Sequence, residues 1–137
     1  MSQVQTIVNR SLRLLGMLDA NESPEAVDTQ TAIEALNALM VRWEADGVSL
    51  GWSAVSAGSD TLPAPPEAEM PIAYSLAVVL RPEYGVALAP DVIAMARDGL
   101  SRLLADVHSV DYARLDLDLP QGEQQRTSSL QAFERGF

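Results

Sequence analysis

Hydrophobic residues recur every three or four positions in four segments of the chain, the spacing that places them on one face of an α-helix. The predicted helices are residues 3–15, a second from residue 24 or 29 to residue 45, a third from residue 67 or 71 to residue 80, and a fourth that begins at residue 90. The third is apolar on all sides, which indicates a central position. The pattern predicts a mainly α fold, a small antiparallel four-helix bundle.

Local signals mark several features of these helices. Ser2 and Gln5 have the spacing of a capping box, in which two side chains satisfy free amides of the first turn. Pro82 is expected to end the third helix, because proline lacks the amide hydrogen that a helix interior needs. Gly99 lies inside the fourth helix at a cost of about 1 kcal/mol relative to alanine. We therefore expect a second helix to approach closely at residue 99.

Residues 48–66 depart from the helical spacing. Residues 48–55 alternate between apolar and small polar side chains, residues 56–60 favour a turn, and Thr61 and Leu62 could pair back along the first part. The pattern predicts a short two-stranded β excursion. The prolines that follow favour an extended approach to the third helix.

The C-terminal part of the chain has a different pattern again. Residues 114–119 alternate between leucine and a charged residue, which is the period of a β-strand with one exposed face. A lone strand needs the edge of another sheet, which favours a contact with a partner. We therefore expect a helical domain in residues 1–110 and an extended C-terminal arm in residues 111–137.

The aromatic side chains divide between the core and surfaces that could bind a partner. Trp43 lies on the apolar face of the second helix and is expected in the core. For Trp52 a core position and a contact with a neighbouring subunit are equally compatible with the sequence. Phe133 and Phe137 lie in a polar segment, where they either fold back on the domain or dock on a partner. Docking is favoured, because aromatic anchors contribute much of the binding energy of interfaces.

Composition narrows the classes of function. The chain has 137 residues, 47% of them hydrophobic, and a formal net charge of -10. This length and hydrophobic content suit one folded domain with a small core. The acidic charge argues against a broad grip on nucleic acid, because binding to phosphates requires clustered cations. The chain has no cysteine, which excludes disulfides, thiolate nucleophiles and zinc–thiolate sites.

Candidate catalytic groups are few. Glu44 with Asp46 and Glu67 with Glu69 are carboxylate pairs close in sequence, and two carboxylates suffice for glycoside hydrolysis. The chain has 19 acidic residues, so some pair will always look suggestive, and a solvated acidic surface is the favoured explanation. His108 is expected near a helix C-terminus, where a protonated imidazole favours the helix dipole. We expect no catalytic residue, no cofactor and no metal site.

The sequence predicts neither a signal peptide nor a membrane-spanning segment. The first residues lack a cationic segment followed by an apolar one, so no signal peptide is expected. The longest apolar run, residues 72–80, is much shorter than the about 20 residues that span a membrane. We expect a soluble protein without membrane association.

A series of short motifs resembles a known family. The motifs are Leu12-Arg13-Leu14-Leu15-Gly16, Ala35-Leu36-Asn37-Ala38-Leu39-Met40, Trp43-Glu44-Ala45-Asp46-Gly47, Leu76-Ala77, Arg81-Pro82-Glu83-Tyr84-Gly85 and Leu119-Pro120-Gln121-Gly122. Their order and spacing over residues 4–122 resemble the head-to-tail connector family of tailed phages. The greatest similarity is to the tail accessory factor, or packaged-DNA stabilisation protein, of short-tailed phages.

The resemblance implies a small helical domain with an extended C-terminal arm. Such proteins assemble as a ring, typically of twelve copies, beneath the portal protein after DNA packaging. The ring extends and seals the DNA channel, takes part in DNA retention and ejection, and is the platform for a downstream tail protein of the nozzle or tube. Double-stranded DNA would pass through without specific binding.

The resemblance also assigns residues and a location. The arm would bind the portal, with residues Leu115, Leu117, Leu119, Pro120, Gly122, Leu130, Phe133 and Phe137 as its contacts. Trp52 is a candidate contact between subunits. The protein is expected in the neck or tail of the virion after assembly in the host cytoplasm.

Three functions are compatible with these features. The first is a structural connector without enzymatic activity. The second is a muramidase that uses two of the carboxylates named above, because a family member has been credited with peptidoglycan hydrolysis. The third is a small acidic adaptor that mimics nucleic acid. The ordered motifs and the absence of a catalytic pattern favour the connector.

Overall fold

The computed structural model describes the backbone of residues 2–118 and the side chains through residue 106. The chain divides into two units, Met1–Ala105 and Asp106–Phe137, each of which is described by itself. Six of the eight predicted portal contacts lie outside the described residues: Leu119, Pro120, Gly122, Leu130, Phe133 and Phe137. Leu115 and Leu117 belong to the described backbone only.

Four α-helices and one helical turn form the described structure. They are α1 (Val4–Leu14), α2 (Ala26–Ala45), α3 (Glu69–Tyr84) and α4 (Pro90–Asp118), with the 3-10 turn Pro66–Ala68 immediately before α3. Residues 2–118 contain no β-sheet, only an isolated bridge between Gln3 and Thr61. The predicted mainly α fold is therefore confirmed.

Helix α3 lies at the centre of the first unit. Ile72, Leu76 and Leu80 on this helix are fully buried, and it contacts both α1 and α2. The opposing core side chains are Val4, Ile7, Val8 and Leu12 from α1, and Ile33, Leu36, Met40 and Trp43 from α2. These are the apolar faces that helical spacing indicates, and neither α1 nor α2 would be stable alone in water. The predicted central position of the third helix and the buried position of Trp43 are confirmed.

Helix α4 approaches α3 at Gly99. A Cβ atom at residue 99 would lie 2.9 Å from the Cγ of Pro71, closer than real Cβ atoms come to other atoms. Glycine is thus required by the closeness of the two helices. The expectation from the sequence is confirmed, with Pro71 as the neighbour.

The predicted end of α3 at Pro82 is wrong. The helix contains Pro82 and continues to Tyr84, where Gly85 ends it with a left-handed φ of 65°. The Gly85 amide donates a hydrogen bond to the Arg81 carbonyl at 3.0 Å. Proline near a helix end removes only one amide donor, whereas a left-handed glycine satisfies the last carbonyls and reverses the chain.

The strand predicted at residues 114–119 is also wrong where the structure describes it. Helix α4 continues through Asp118, so His108 lies within the helix and not near its C-terminus. No glycine or proline occurs between Gly99 and Pro120. A helix satisfies its backbone groups within the segment, whereas a strand requires a partner edge that the alternating pattern does not supply. The part of the predicted extended arm formed by residues 111–118 is helical.

Candidate interaction surfaces

Asn37 fixes the long connection between α2 and α3. From the middle of α2, its side-chain Nδ2 donates a hydrogen bond to the Val55 carbonyl at 2.8 Å. Its Oδ1 accepts the Val55 amide at 3.1 Å and the indole N–H of Trp52 at 3.2 Å. The Asn37 side chain thus bonds both the amide and the carbonyl of Val55, which a neighbouring strand would do in a β-sheet. The predicted two-stranded β excursion is wrong, because these backbone groups bond to a side chain.

The second half of this connection caps α1. The amides of Val4 and Gln5 donate to the carbonyls of Asp60 and Gly58, both at 2.9 Å. Gln3 is the N-cap residue, without a side-chain capping bond. The capping box predicted from Ser2 and Gln5 is therefore wrong, because loop carbonyls satisfy the free amides of the first turn. Leu62 follows in the chain and is fully buried.

The Asp60 carboxylate holds the turn that presents these carbonyls. It accepts the amides of Ser56 and Ala57 at 2.9 and 3.1 Å. These two backbone hydrogen bonds, to Ser56 and then to Ala57, lower the pKa of Asp60 from its ordinary value of 3.8. A carboxylate at this position thus determines the conformation of residues 56–60.

Trp52 is half-buried against the core, with its indole bonded to Asn37. Such an aromatic side chain has a buried edge with a satisfied donor and an accessible remainder. The structure thus places one part of the Trp52 side chain against the core and leaves the other part exposed. Its proposed role in a subunit contact stays a prediction.

A hydrogen bond joins the end of α3 to the start of α2. The Tyr84 hydroxyl donates to Asp28 Oδ1 at 3.0 Å. Burial, together with the hydrogen bond and charge of Asp28 and the charge of Glu83, raises the pKa of Tyr84 to about 12. The Tyr84–Asp28 bond connects two helices far apart in sequence, and no local motif identifies it.

The candidate carboxylates lie at helix ends. Glu44 and Asp46 are exposed at the end of α2, and Asp46 forms an ion pair with Arg42 at 3.3 Å. Glu67 lies exposed in the 3-10 turn, and Glu69 begins α3. Within the part of the chain that the structure describes, no three His, Cys, Asp or Glu side chains form a group that could hold a metal ion. In the same residues no helix is long and apolar enough to cross a membrane.

Helix α2 also carries hydrophobic residues on its outer side. Val27 is 72% exposed and Val41 is 66% exposed, and Glu34 lies midway between them in sequence. Ala38 and Ala45 continue the same exposed stripe. The sequence reasoning missed this surface, because the stripe Ile33, Leu36, Met40 and Trp43 on the opposite side accounted for the helix. The available signal was the seven-residue spacing of Val27, Glu34 and Val41.

A second exposed surface contains methionine and arginine. The Arg10 Nη1 atom lies 2.7 Å from the sulfur of Met70, which joins α1 to the start of α3. Met70 is 44% exposed and Met95 on α4 is 46% exposed. Flexible methionine side chains are common at surfaces that bind other proteins.

Comparison with known proteins connects this structure to a phage family. A search of curated proteins found no match. The sequence profile described as P22 tail accessory factor matches residues 3–135, which is nearly the whole chain. A tail accessory factor is a virion component with a structural role in the tail or neck. The chain therefore belongs to the P22 tail accessory factor family, a family of tail accessory proteins of short-tailed phages.

Proposed function

We propose that this protein is a head-to-tail connector subunit. Copies of it, typically twelve, assemble as a ring beneath the portal, extend and seal the DNA channel, and form the platform for a downstream tail protein. The observation that carries the proposal is the family match over residues 3–135. The match includes both the helical unit and the C-terminal segment.

The exposed surfaces of the helical unit support assembly in a ring. A ring of identical subunits needs a heterologous interface, in which two different patches on each copy meet. The first unit has two different exposed patches with apolar side chains, one on α2 around Val27 and Val41 and one around Met70 and Met95.

The charge supports a channel through which DNA slides. A closed ring of copies that each carry a net charge of -10 has an acidic wall where those acids line the bore. Phosphates are repelled by such a wall, so DNA meets few adhesive contacts as it enters or leaves. We expect acidic side chains to be enriched on the surface that faces the bore.

The C-terminal segment is the proposed portal contact. It contains Leu130, Phe133 and Phe137, whose apolar side chains suit anchors in pockets of a partner. Leu115 and Leu117 precede this segment in the last turns of α4. The helix would therefore lead directly into the portal-binding residues.

The proposed role includes no enzymatic step. A zymogram on peptidoglycan tests this with the wild type and with the variants Glu44→Gln, Asp46→Asn, Glu67→Gln and Glu69→Gln. We expect no clearing by any of them. Clearing by the wild type that one amide variant abolishes would replace the structural role with a muramidase.

Mass measurement with and without portal tests the connector proposal directly. Native mass spectrometry of the purified chain is compared with a mixture that contains purified portal rings from the same phage. We expect a portal-bound assembly whose added mass equals a whole ring of copies. A chain that leaves the portal mass unchanged at all ratios contradicts the proposal.

A further inference from the structure

The outer side of α2 forms a continuous surface of low charge. We call it the α2 face, and it consists of Val27, Glu34, Ala38, Val41 and Ala45, all exposed. These positions recur every three, four or seven residues and so lie above one another on the helix. Single exposed valines are ordinary, but two in register with small residues and one carboxylate form a strip that a partner can cover.

A second exposed surface takes residues from α1, α3 and α4. We call it the methionine face, and it consists of Arg10, Met70 and Met95. Arg10 touches Met70, and the next residue, Pro71, packs against Gly99 of α4. Met95 lies four residues before Gly99 and therefore on the same side of α4. Met70 and Met95 are thus each within one turn of the residues that form the α3–α4 contact, and the Arg10 guanidinium lies beside Met70.

Charge distinguishes the two faces. Each copy carries a net charge of -10, so a cation of one copy that meets an acid of the other reduces the repulsion between them and fixes their register. Arg10 and Arg13, the only basic residues before Arg42, are both exposed on α1. Glu34 is the only charged residue of the α2 face. Among the described residues, the ion pairs are Arg42–Asp46 and Arg102–Asp98, which leaves Arg10 and Glu34 available for an intermolecular pair.

We propose that the α2 face of one copy docks on the methionine face of the next copy. Arg10 pairs with Glu34 across this interface, while Val27 and Val41 cover Met70 and Met95. The inference rests on the proposed connector function and adds which surfaces of the helical unit join the copies. The contact is heterologous, so each docked copy presents a free α2 face to the following one.

Cross-linking tests the proposed contact, because the natural chain contains no cysteine. Ala38→Cys and Met70→Cys are introduced into separate chains, and the two chains are mixed with a short bis-maleimide. The reaction is run on the protein alone at high concentration and on the portal-bound assembly. We expect a dimer in the mixture, a ladder when both changes are in one chain, and neither from a single variant. Ala38→Cys mixed with Ala87→Cys, an exposed position between α3 and α4, is the matched control.

Charge reversal tests the pairing of Arg10 with Glu34. Arg10→Glu and Glu34→Arg are each expected to reduce the cross-linked product about tenfold or more, because like charges then face each other. The double variant restores the pair with opposite orientation and should recover the product. Glu44→Arg, an exposed change on α2 outside the α2 face, is the control for net charge and should not reduce the product.

The outcomes separate this inference from the connector proposal. A complete portal-bound ring without the mixed cross-link overturns the α2–methionine contact and leaves the connector function intact. Dimers from Ala38→Cys alone, at the yield of the mixture, also overturn it, because α2 faces would then meet each other. The mixed cross-link without portal binding contradicts the connector proposal alone, and the absence of both contradicts both.

Discussion

Pro71 and Gly99 bring α3 and α4 into contact at a distance that excludes a side chain at residue 99. The ideal Cβ position at Gly99 lies 2.9 Å from Pro71 Cγ and 3.2 Å from Pro71 Cα, so part of the obstacle is backbone. Proline cannot move its ring away as a flexible side chain could. This contact fixes how closely α4 approaches the start of α3.

We predict that Gly99→Ala destabilises the protein by about 1 kcal/mol, because overpacking costs about 1–3 kcal/mol and outweighs the about 1 kcal/mol of helix propensity that alanine gains. Urea unfolding followed by circular dichroism measures the change. Ser101→Ala, on the exposed side of the same helix, is the control and should be neutral or slightly stabilising. Pro71→Ala combined with Gly99→Ala should recover part of the loss. A gain of stability by the about 1 kcal/mol of helix propensity, with no offsetting cost, would contradict the close contact.

Asn37→Ala is expected to release residues 48–55. The substitution leaves the Val55 amide and carbonyl without their partner, which costs about 1–3 kcal/mol. Chemical unfolding measures the stability, and Trp52 fluorescence should shift to longer wavelength as its indole becomes solvated. Gln30→Ala, exposed on the same helix, should change neither. Unchanged fluorescence in Asn37→Ala would show that the loop does not depend on this side chain.

Asp60 makes the stability of the α1 cap dependent on pH. Its pKa is lower in the folded state than its ordinary value of 3.8, so its ionised form favours folding. The contribution is complete above the unfolded value and is lost as the pH falls through the folded value. We predict that Asp60→Asn is less stable than the wild type at neutral pH and that the difference shrinks below pH 3.8. A difference that stays constant with pH would contradict the role of the charge.

Tyr84 should titrate late. With its pKa raised to about 12, the hydroxyl favours folding below the unfolded value near 10, and this contribution is lost as the pH rises toward 12. In an ultraviolet titration, we predict that part of the rise in tyrosinate absorbance occurs well above pH 10 and that Tyr84→Phe removes this part. Tyr74→Phe serves as the control and should leave this part in place. Titration of all tyrosines near pH 10, in protein that circular dichroism shows to be folded, would contradict the bond to Asp28.

Deletion of residues 120–137 should separate folding from portal binding. The buried side chains of the described core extend from Val4 to Leu103, so the helical unit should keep its circular dichroism spectrum and unfolding midpoint. Portal binding should be lost, because the deletion removes Leu130, Phe133 and Phe137. Phe133→Ala with Phe137→Ala tests the anchors in the full-length chain. A truncated chain that binds portal at full strength would show that residues 120–137 are not the arm.

The sequence predicted the helices better than it predicted the two exposed surfaces. The exposed stripe around Val27 and Val41 was not predicted, because the buried stripe on the opposite side of α2 was sufficient to explain an amphipathic helix. The methionine face depends on Arg10, Met70 and Met95, which come from three helices. Distances in space between such residues are not encoded in any local pattern, so periodicity could not have identified the surface.

The sequence alone determined the helices, the central position of α3 and the buried position of Trp43, because three-to-four spacing specifies which face must leave water. Gly99 within a helical pattern also indicated the close approach of a second helix, which the contact with Pro71 confirms. Only the tertiary structure decided the connection after α2, where alternation predicted strands but Asn37 and the start of α1 provide the hydrogen bonds. It likewise decided residues 114–118, which are helical. The physical reason is common to both segments: a strand depends on another strand for its backbone hydrogen bonds, and these bonds are made instead by a side chain and the start of α1 in the first segment and within the helix in the second.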